Sequence, residues 1–261
     1  AKAIAKRTGP RKAKVALVTR QFLYLREPCA FVVYDRVEKT RADYRARFLL
    51  HHLARPRGGD ETVLAGKADD GILTTKSRVV TSEHGGGRLV HAAVLPAGGT
   101  KLLIGGPTYR CYVEGDGDGD FSKGFNGEKL DPGPGAAKYR HTHAGLWRTE
   151  IGDGGKSKST RFLNLLFPRK AGEELPRGLY SELRTGPELV AVRVAETVCV
   201  FARAARPLES FELSLPEAGL RLLLLDAVPK RTYSVGGKKA AAGAEGVLVL
   251  EKLPAGRVEV R

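Results

Sequence analysis

Apolar and polar residues trade places every one or two positions along most of this chain. VALVTRQFLYL (15–25), AFVVYDRVE (30–38) and YRARFLLHHLA (44–54) are rich in β-branched and aromatic residues, which suit a pleated, half-buried strand. In the third segment Tyr44, Ala46, Phe48 and Leu50 fall on one face. Successive strand residues point to opposite faces, so His51 and His52 divide between core and solvent. GILTTKSRVVTSE, GRLVHAAVLP and KLLIGG follow, each bounded by glycine or proline. LWRTEIG, RFLNLLFP, LVAVRVAETVCVFAR, ESFELSL, LRLLLLDAV, TYSVGG, GVLVLEKLP and GRVEV continue the pattern to the C-terminus. Short strands at fairly regular spacing, with turns such as HGGG and PAGG, predict an all-β fold: a large antiparallel two-sheet β-sandwich. No segment combines helix caps with a 3.6-residue period, and no repeat suggests a solenoid or propeller.

The organisation read from this pattern is a basic N-terminal segment, residues 1–14, followed by one sandwich domain, 15–261. KAGEELPRG interrupts the strands near 170–185. The longest stretch without strand character is 115–139, GDGDGDFSKGFNGEKLDPGPGAAKY; a loop of that length in a compact domain is commonly functional or disordered. The sequence contains no methionine, so it reads as a processed product or a piece of a longer protein, with segment 1–14 as a trimmed edge.

Charge narrows the partners. The formal net charge is +15, with 44 Lys and Arg against 29 Asp and Glu. Residues 1–60 hold fifteen of the basic and five of the acidic residues, so most of the excess sits there. Such a field attracts polyanions: nucleic acid, an anionic membrane surface or an acidic polysaccharide. Aromatic residues make up 7% and no stacking motif of an RNA- or DNA-binding module occurs, which argues against nucleic acid. No apolar run is long enough to span a membrane. Cys29, Cys111 and Cys199 are widely spaced and odd in number, which speaks against a disulfide framework or a thiolate zinc site.

Few motifs carry chemistry. Asp116, Asp118 and Asp120 alternate as in the first half of a calcium-binding loop. Phe121 and Gly127 then stand where that loop needs glycine and glutamate, so the motif fails and a solvated acidic loop accounts for the residues. His141 and His143 share a face if extended, but zinc needs further donors. There is no nucleophile elbow, no HExxH, no P-loop and no dinucleotide fingerprint. The residues alone point to a basic all-β domain for a polyanion, with a non-catalytic carbohydrate-binding module as one form of it.

Two blocks add a resemblance. VTRQFLYLREPCAFVVYDRVEKTRADYRARFLLHHLARP (18–56) and GRLVHAAVLPAGGTKLLIGGPTYRCYVEG (87–115), continued by AGLWRTEI and TRFLNLLFP, resemble the C-terminal β-sandwich of the heparinase II/III-like polysaccharide lyases. Order and spacing match over roughly residues 14–170. The resemblance implies β-elimination on uronic-acid polysaccharides, performed together with an N-terminal α/α toroid that this sequence lacks, in a periplasmic or secreted protein. It implies zinc in the full-length protein, with His51 as the one ligand in this chain and His52 as its outward neighbour. The chain alone is then expected to be inactive. Within the matched blocks, Arg20 and Tyr24 share a strand face. Arg20 suits a bidentate contact to a carboxylate or sulfate, and Tyr24 is the weak catalytic candidate. Against this, Arg20 also suits an ion pair with Asp35, and Tyr24 suits a sheet surface. Trp147 suits either sugar stacking or a core.

Overall fold

A computed structural model of the chain describes residues 13–106, 147–155, 157–235 and 238–261. The described residues form an all-β sandwich of nineteen strands, numbered β1 to β19 in chain order, with no helix. Three five-stranded sheets stack face to face. The central sheet runs β1 (Val15–Leu25), β2 (Ala30–Lys39), β10 (Ser159–Lys170), β7 (Gly87–Leu95), β6 (Val79–His84). The upper sheet runs β3 (Arg47–His52), β9 (Trp147–Gly152), β8 (Lys101–Gly105), β5 (Asp70–Thr75), β4 (Thr62–Lys67). The lower sheet runs β11 (Tyr180–Leu183), β12 (Leu189–Val194), β13 (Thr197–Ala202), β15 (Leu220–Leu224), β18 (Leu248–Leu253). Two ribbons, β14 (Phe211–Leu215) with β19 (Gly256–Val260) and β16 (Thr232–Val235) with β17 (Lys238–Ala241), close the underside. Pairing is antiparallel except between β13 and β15, which are parallel. Among the described residues no helix is long and apolar enough to cross a membrane.

The sequence explains the stack. A strand buried on one face alternates, whereas one buried on both faces reads as a continuous apolar run. AFVVY of β2 is such a run, and FLNLLF of β10 is one but for Asn164. Val32, Tyr34, Leu163, Leu165 and Phe167 face the lower sheet and pack on Val190, Val192, Val194, Cys199 and Phe201. Val33 and Phe162 face the upper sheet and meet Phe48 and Ile151. Below the lower sheet a third core, built on Leu189, Val198, Val200, Leu222 and Leu224, seats the ribbons. Burial of Cys199 in the lower interface pushes its thiol pKa up to about 12, so this cysteine behaves as a small apolar residue.

The turns follow local chemistry. HGGG closes the β6–β7 hairpin, with Gly85 and Gly86 both at positive φ (57° and 80°), which a side chain resists. LVAVRVAETVCVFAR, one unbroken segment by composition, folds back on itself instead. Val194 pairs with Thr197, and Ala195 takes φ 50° to make the turn.

Candidate functional site

The alternation in VTRQFLYL places Val18, Arg20, Phe22 and Tyr24 on the upper face of β1, an edge strand of the central sheet. The upper sheet ends at β3 and does not roof this strand. Phe48 of β3 meets the Arg20 guanidinium of β1, 5.3 Å from ring centre to Cζ. Beyond it the surface is open, with Val18 and Phe22 each 61% exposed and Tyr24 50%. Phe31, on β2, packs in a tilted arrangement against both rings, 5.2 Å from Phe22 and 4.9 Å from Tyr24 between ring centres. The Tyr24 hydroxyl lies 3.8 Å from Cys29 Sγ, a contact that raises the phenol pKa.

Arg20 sits opposite Asp35 and donates from Nε and Nη2 to its two carboxylate oxygens, both at 2.7 Å. That hydrogen-bonded pair raises the arginine pKa and fixes the plane of the fork. Arginine carries five N–H donors, so three remain, and 55% of the side chain is exposed. Chemically this is a preset planar donor followed along the strand by two exposed aromatic rings. Phe22, the middle member, was not among the residues singled out from sequence; period two puts it between Arg20 and Tyr24.

The two histidines resolve as follows. His52 points inward, contrary to the expected outward setting. It lies between the central and upper sheets, 3.0 Å from Ser82 Oγ through Nδ1 and 2.8 Å from Thr149 Oγ1 through Nε2. Burial, followed by the nearby His91 and His51, lowers its pKa to about 3. His91, fully buried in the same interface, contacts Asn164 Oδ1 through Nε2 at 2.9 Å, and burial lowers its pKa to about 4. His51 is on the outer face of the upper sheet, paired across strands with Arg148. Its pKa is lowered by burial and then by that cation. Glu150 is the nearby acid, bridged by Arg148 and, at 3.8 Å, by Arg47. Among the described residues no group of three His, Cys, Asp or Glu side chains gathers to hold a metal. Zinc takes four donors. Among the described residues His51 and the nearby Glu150, with the Arg148 cation beside both, fall short of such a set.

Trp147 is a core residue, 5% exposed and packed with Leu73, Val80 and Leu103, with Arg55 over its ring at 5.7 Å. It faces the gap between sheets because β9 turns Trp147, Thr149 and Ile151 inward, which gives the core setting and not an exposed face for a sugar ring. Asp116, Asp118, Asp120, His141, His143, Cys111 and all but the last two residues of the 1–14 segment lie outside the described residues. An open depression of about 510 Å³ opens at the end of the upper sheet, lined by Arg45, Arg47, Gly98, Gly99, Glu150 and Asp153. Asp153 is already committed there: buried Lys39 pairs with it, and Thr160 donates to it at 2.8 Å.

No family model matches the chain, and no curated protein matches it. The likeness to the lyases therefore rests on the residue blocks alone.

Proposed function

We propose that this chain is the sandwich part of a β-eliminating lyase for acidic, uronic-acid-containing polysaccharides, and that its own task is to hold the glycan. The observation that carries the reading is the open face of β1, where Arg20, locked by Asp35 with three donors left, stands in line with Phe22 and Tyr24. A guanidinium fork recognises carboxylate or sulfate bidentately, and aromatic faces cover the apolar side of a sugar ring. The net charge of +15 adds long-range attraction for a polyanion. The groups that remove and return protons belong to the toroid module in this reading. His52 and His91 are sealed in the core with low pKa values, which fits them for packing and not for acid–base work near neutral pH.

The test is retention on immobilised heparin against a neutral glycan at low salt. Arg20→Ala should weaken heparin binding about tenfold, the size of a hydrogen bond to a charged group, about 1.5 kcal/mol. Phe22→Ala should weaken it without altering its salt dependence. Wild-type affinity in both variants would remove β1 from the site. The lyase part of the reading is checked on a version of the protein carrying its N-terminal module, by the ultraviolet absorbance of unsaturated uronate on a panel of uronic-acid polymers. Binding without elimination on any polymer would leave the chain a non-catalytic carbohydrate module.

A further inference from the structure

We infer that the edge of β1, together with the overhanging strand β18, is an acceptor groove for one extended strand of another polypeptide. The inference does not depend on the glycan reading, which uses the upper face of β1; the groove uses its edge and underside.

Three observations build it. The first is the state of the edge. Among the described residues β1 pairs only with β2. It is eleven residues long, free of proline and lysine, and carries one charge, Arg20, which Asp35 answers within the chain. Proteins normally blunt such an edge with charge, proline, a bulge or shortness. The other edges of the three large sheets are shorter and follow that rule: β11 has four residues, and β3, β4, β6 and β18 have six each, with Arg47 in β3, an irregularity between Val63 and Ala65 in β4, Glu83 in β6, and Glu251 and Lys252 in β18. The one irregularity in β1 is at its start, between Val15 and Leu17.

The second is the direction of the backbone groups. Thr40 N–H donates to Lys14, and Lys39 N–H donates to Lys158. Successive residues of β2 therefore bond alternately to β1 and β10, as antiparallel geometry requires. Carried along the register from Leu17↔Glu38 to Leu25↔Ala30, this turns the N–H and C=O of Leu17, Thr19, Gln21 and Leu23 toward β2. Those of Val18, Arg20, Phe22 and Tyr24 point to the open side.

The third is the ledge. The lower sheet lies beneath β1, where Gln21 Nε2 donates to Leu225 O at 3.2 Å and Asp226 Oδ1 at 2.9 Å. β18 adds one more strand beyond β15. Val249 pairs with Leu223, whose side chain packs against the central sheet, so Val249 faces the same way. Nothing of the described central sheet covers it, and it is 45% exposed. The overhang is one strand wide. A second copy docking β1 to β1 would bring its own β18 under this β1, into space already filled by the lower sheet, so the step fits a single strand.

The chemistry of the occupant follows. Its backbone completes the β1 ladder, its downward side chains are apolar to cover Val249, and its flanks are acidic to match Lys14 and Arg26 at the two ends of β1. This is strand addition, with main-chain bonds giving affinity and alternate side chains giving selectivity.

The probe is a synthetic nine-residue peptide alternating valine and threonine, with glutamate at both ends and in the middle. Binding should slow hydrogen exchange at the amides of Val18, Arg20, Phe22 and Tyr24, which face outward in the free chain. Val18→Pro removes one outward N–H and spares every β1–β2 bond; Val249→Asp charges the ledge. Each should lower peptide affinity at least tenfold with the circular dichroism unchanged. Val249→Asp should leave heparin retention as it is, which separates this proposal from the glycan reading. No protection of β1 amides, equal affinity in both variants, or sedimentation of the free chain as a β1-linked dimer would each overturn the groove.

Discussion

The two faces of the central sheet are built on different principles. Its lower face is an apolar interface of Val32, Tyr34, Leu163, Leu165 and Phe167 on Val192, Cys199 and Phe201. One polar tie runs along its margin: Asp226 accepts from Arg36, from Gln21 at 2.9 Å and from the Ala202 N–H at 2.9 Å. Its upper face carries a polar seam through the core. His52, His91, Asn164, Thr149 and Ser82 meet there, and among the described residues His91 Nδ1 and Asn164 Nδ2 have no hydrogen-bond partner, against the single Gln21 Oε1 at the lower margin. Buried polar groups left unpaired cost free energy that apolar contacts must offset. The lower interface should therefore be the permanent one, and the upper interface the one that conditions can loosen.

The largest expected effect tests the permanence of the lower face. Asp226→Ala leaves the buried Arg36 without its counter-charge and should cost about 3–5 kcal/mol in urea unfolding. Asp35→Ala on the upper side frees Arg20, whose side chain is 55% exposed and takes up water instead. That change should cost about 1 kcal/mol or less. Equal losses would erase the distinction between the two sides.

Acid should then separate the faces. His52 and His91 have pKa values near 3 and near 4 in the folded chain, below the unfolded value of about 6.5. Between those limits the unfolded state binds more protons, so stability rises with pH there and falls as pH drops below about 6.5. With both groups engaged the slope should approach 2.7 kcal/mol per pH unit, about 1.4 for each histidine. Hydrogen exchange at pH 5 should rise first in β3 and β9, while β12 and β13 stay protected. Simultaneous opening of both interfaces would refute the ordering.

Much of this arrangement was legible in the residues. Period-two alternation marked the strands, and HGGG marked a turn, which in the structure closes the β6–β7 hairpin. The run AFVVY, and FLNLLF with Asn164 as its one polar member, already carried the signature of strands covered on both sides, the mark of three stacked sheets in place of two. The alternation of Tyr44, Ala46, Phe48 and Leu50 continues directly to His52, so the inward histidine could be read from periodicity; the family resemblance pointed to His51 because it matched a Leu-His pair. The β12–β13 turn was not legible. Ala195 and Glu196 hold no glycine, asparagine or aspartate to announce it, and pairing of Val190 with Phe201 and Val192 with Cys199 imposes it from a distance. The edge groove was equally hidden, because overhang of one sheet past another is set by stacking and leaves no local trace.

The finest test isolates the polar seam from the rest of the upper interface. Replacing His91 alone would leave Asn164 with neither end of its amide paired, so a single variant mixes loss of titration with a new unsatisfied group. The double variant His91→Leu with Asn164→Leu removes both partners, and replacing both by apolar groups of similar shape costs little. Ala93 and Phe48 line the same cluster and accept aliphatic neighbours. Stability near pH 8, where both histidines are neutral in either state, should change by less than about 1 kcal/mol. The acid slope should fall from about 2.7 to about 1.4 kcal/mol per pH unit, the share left to His52. His52 also loses the nearby imidazole that helps to depress its pKa, so its remaining transition should move toward higher pH. An unchanged slope would show that acid acts through groups outside the seam, and the contrast between the two faces would then rest on the Asp226 tie alone.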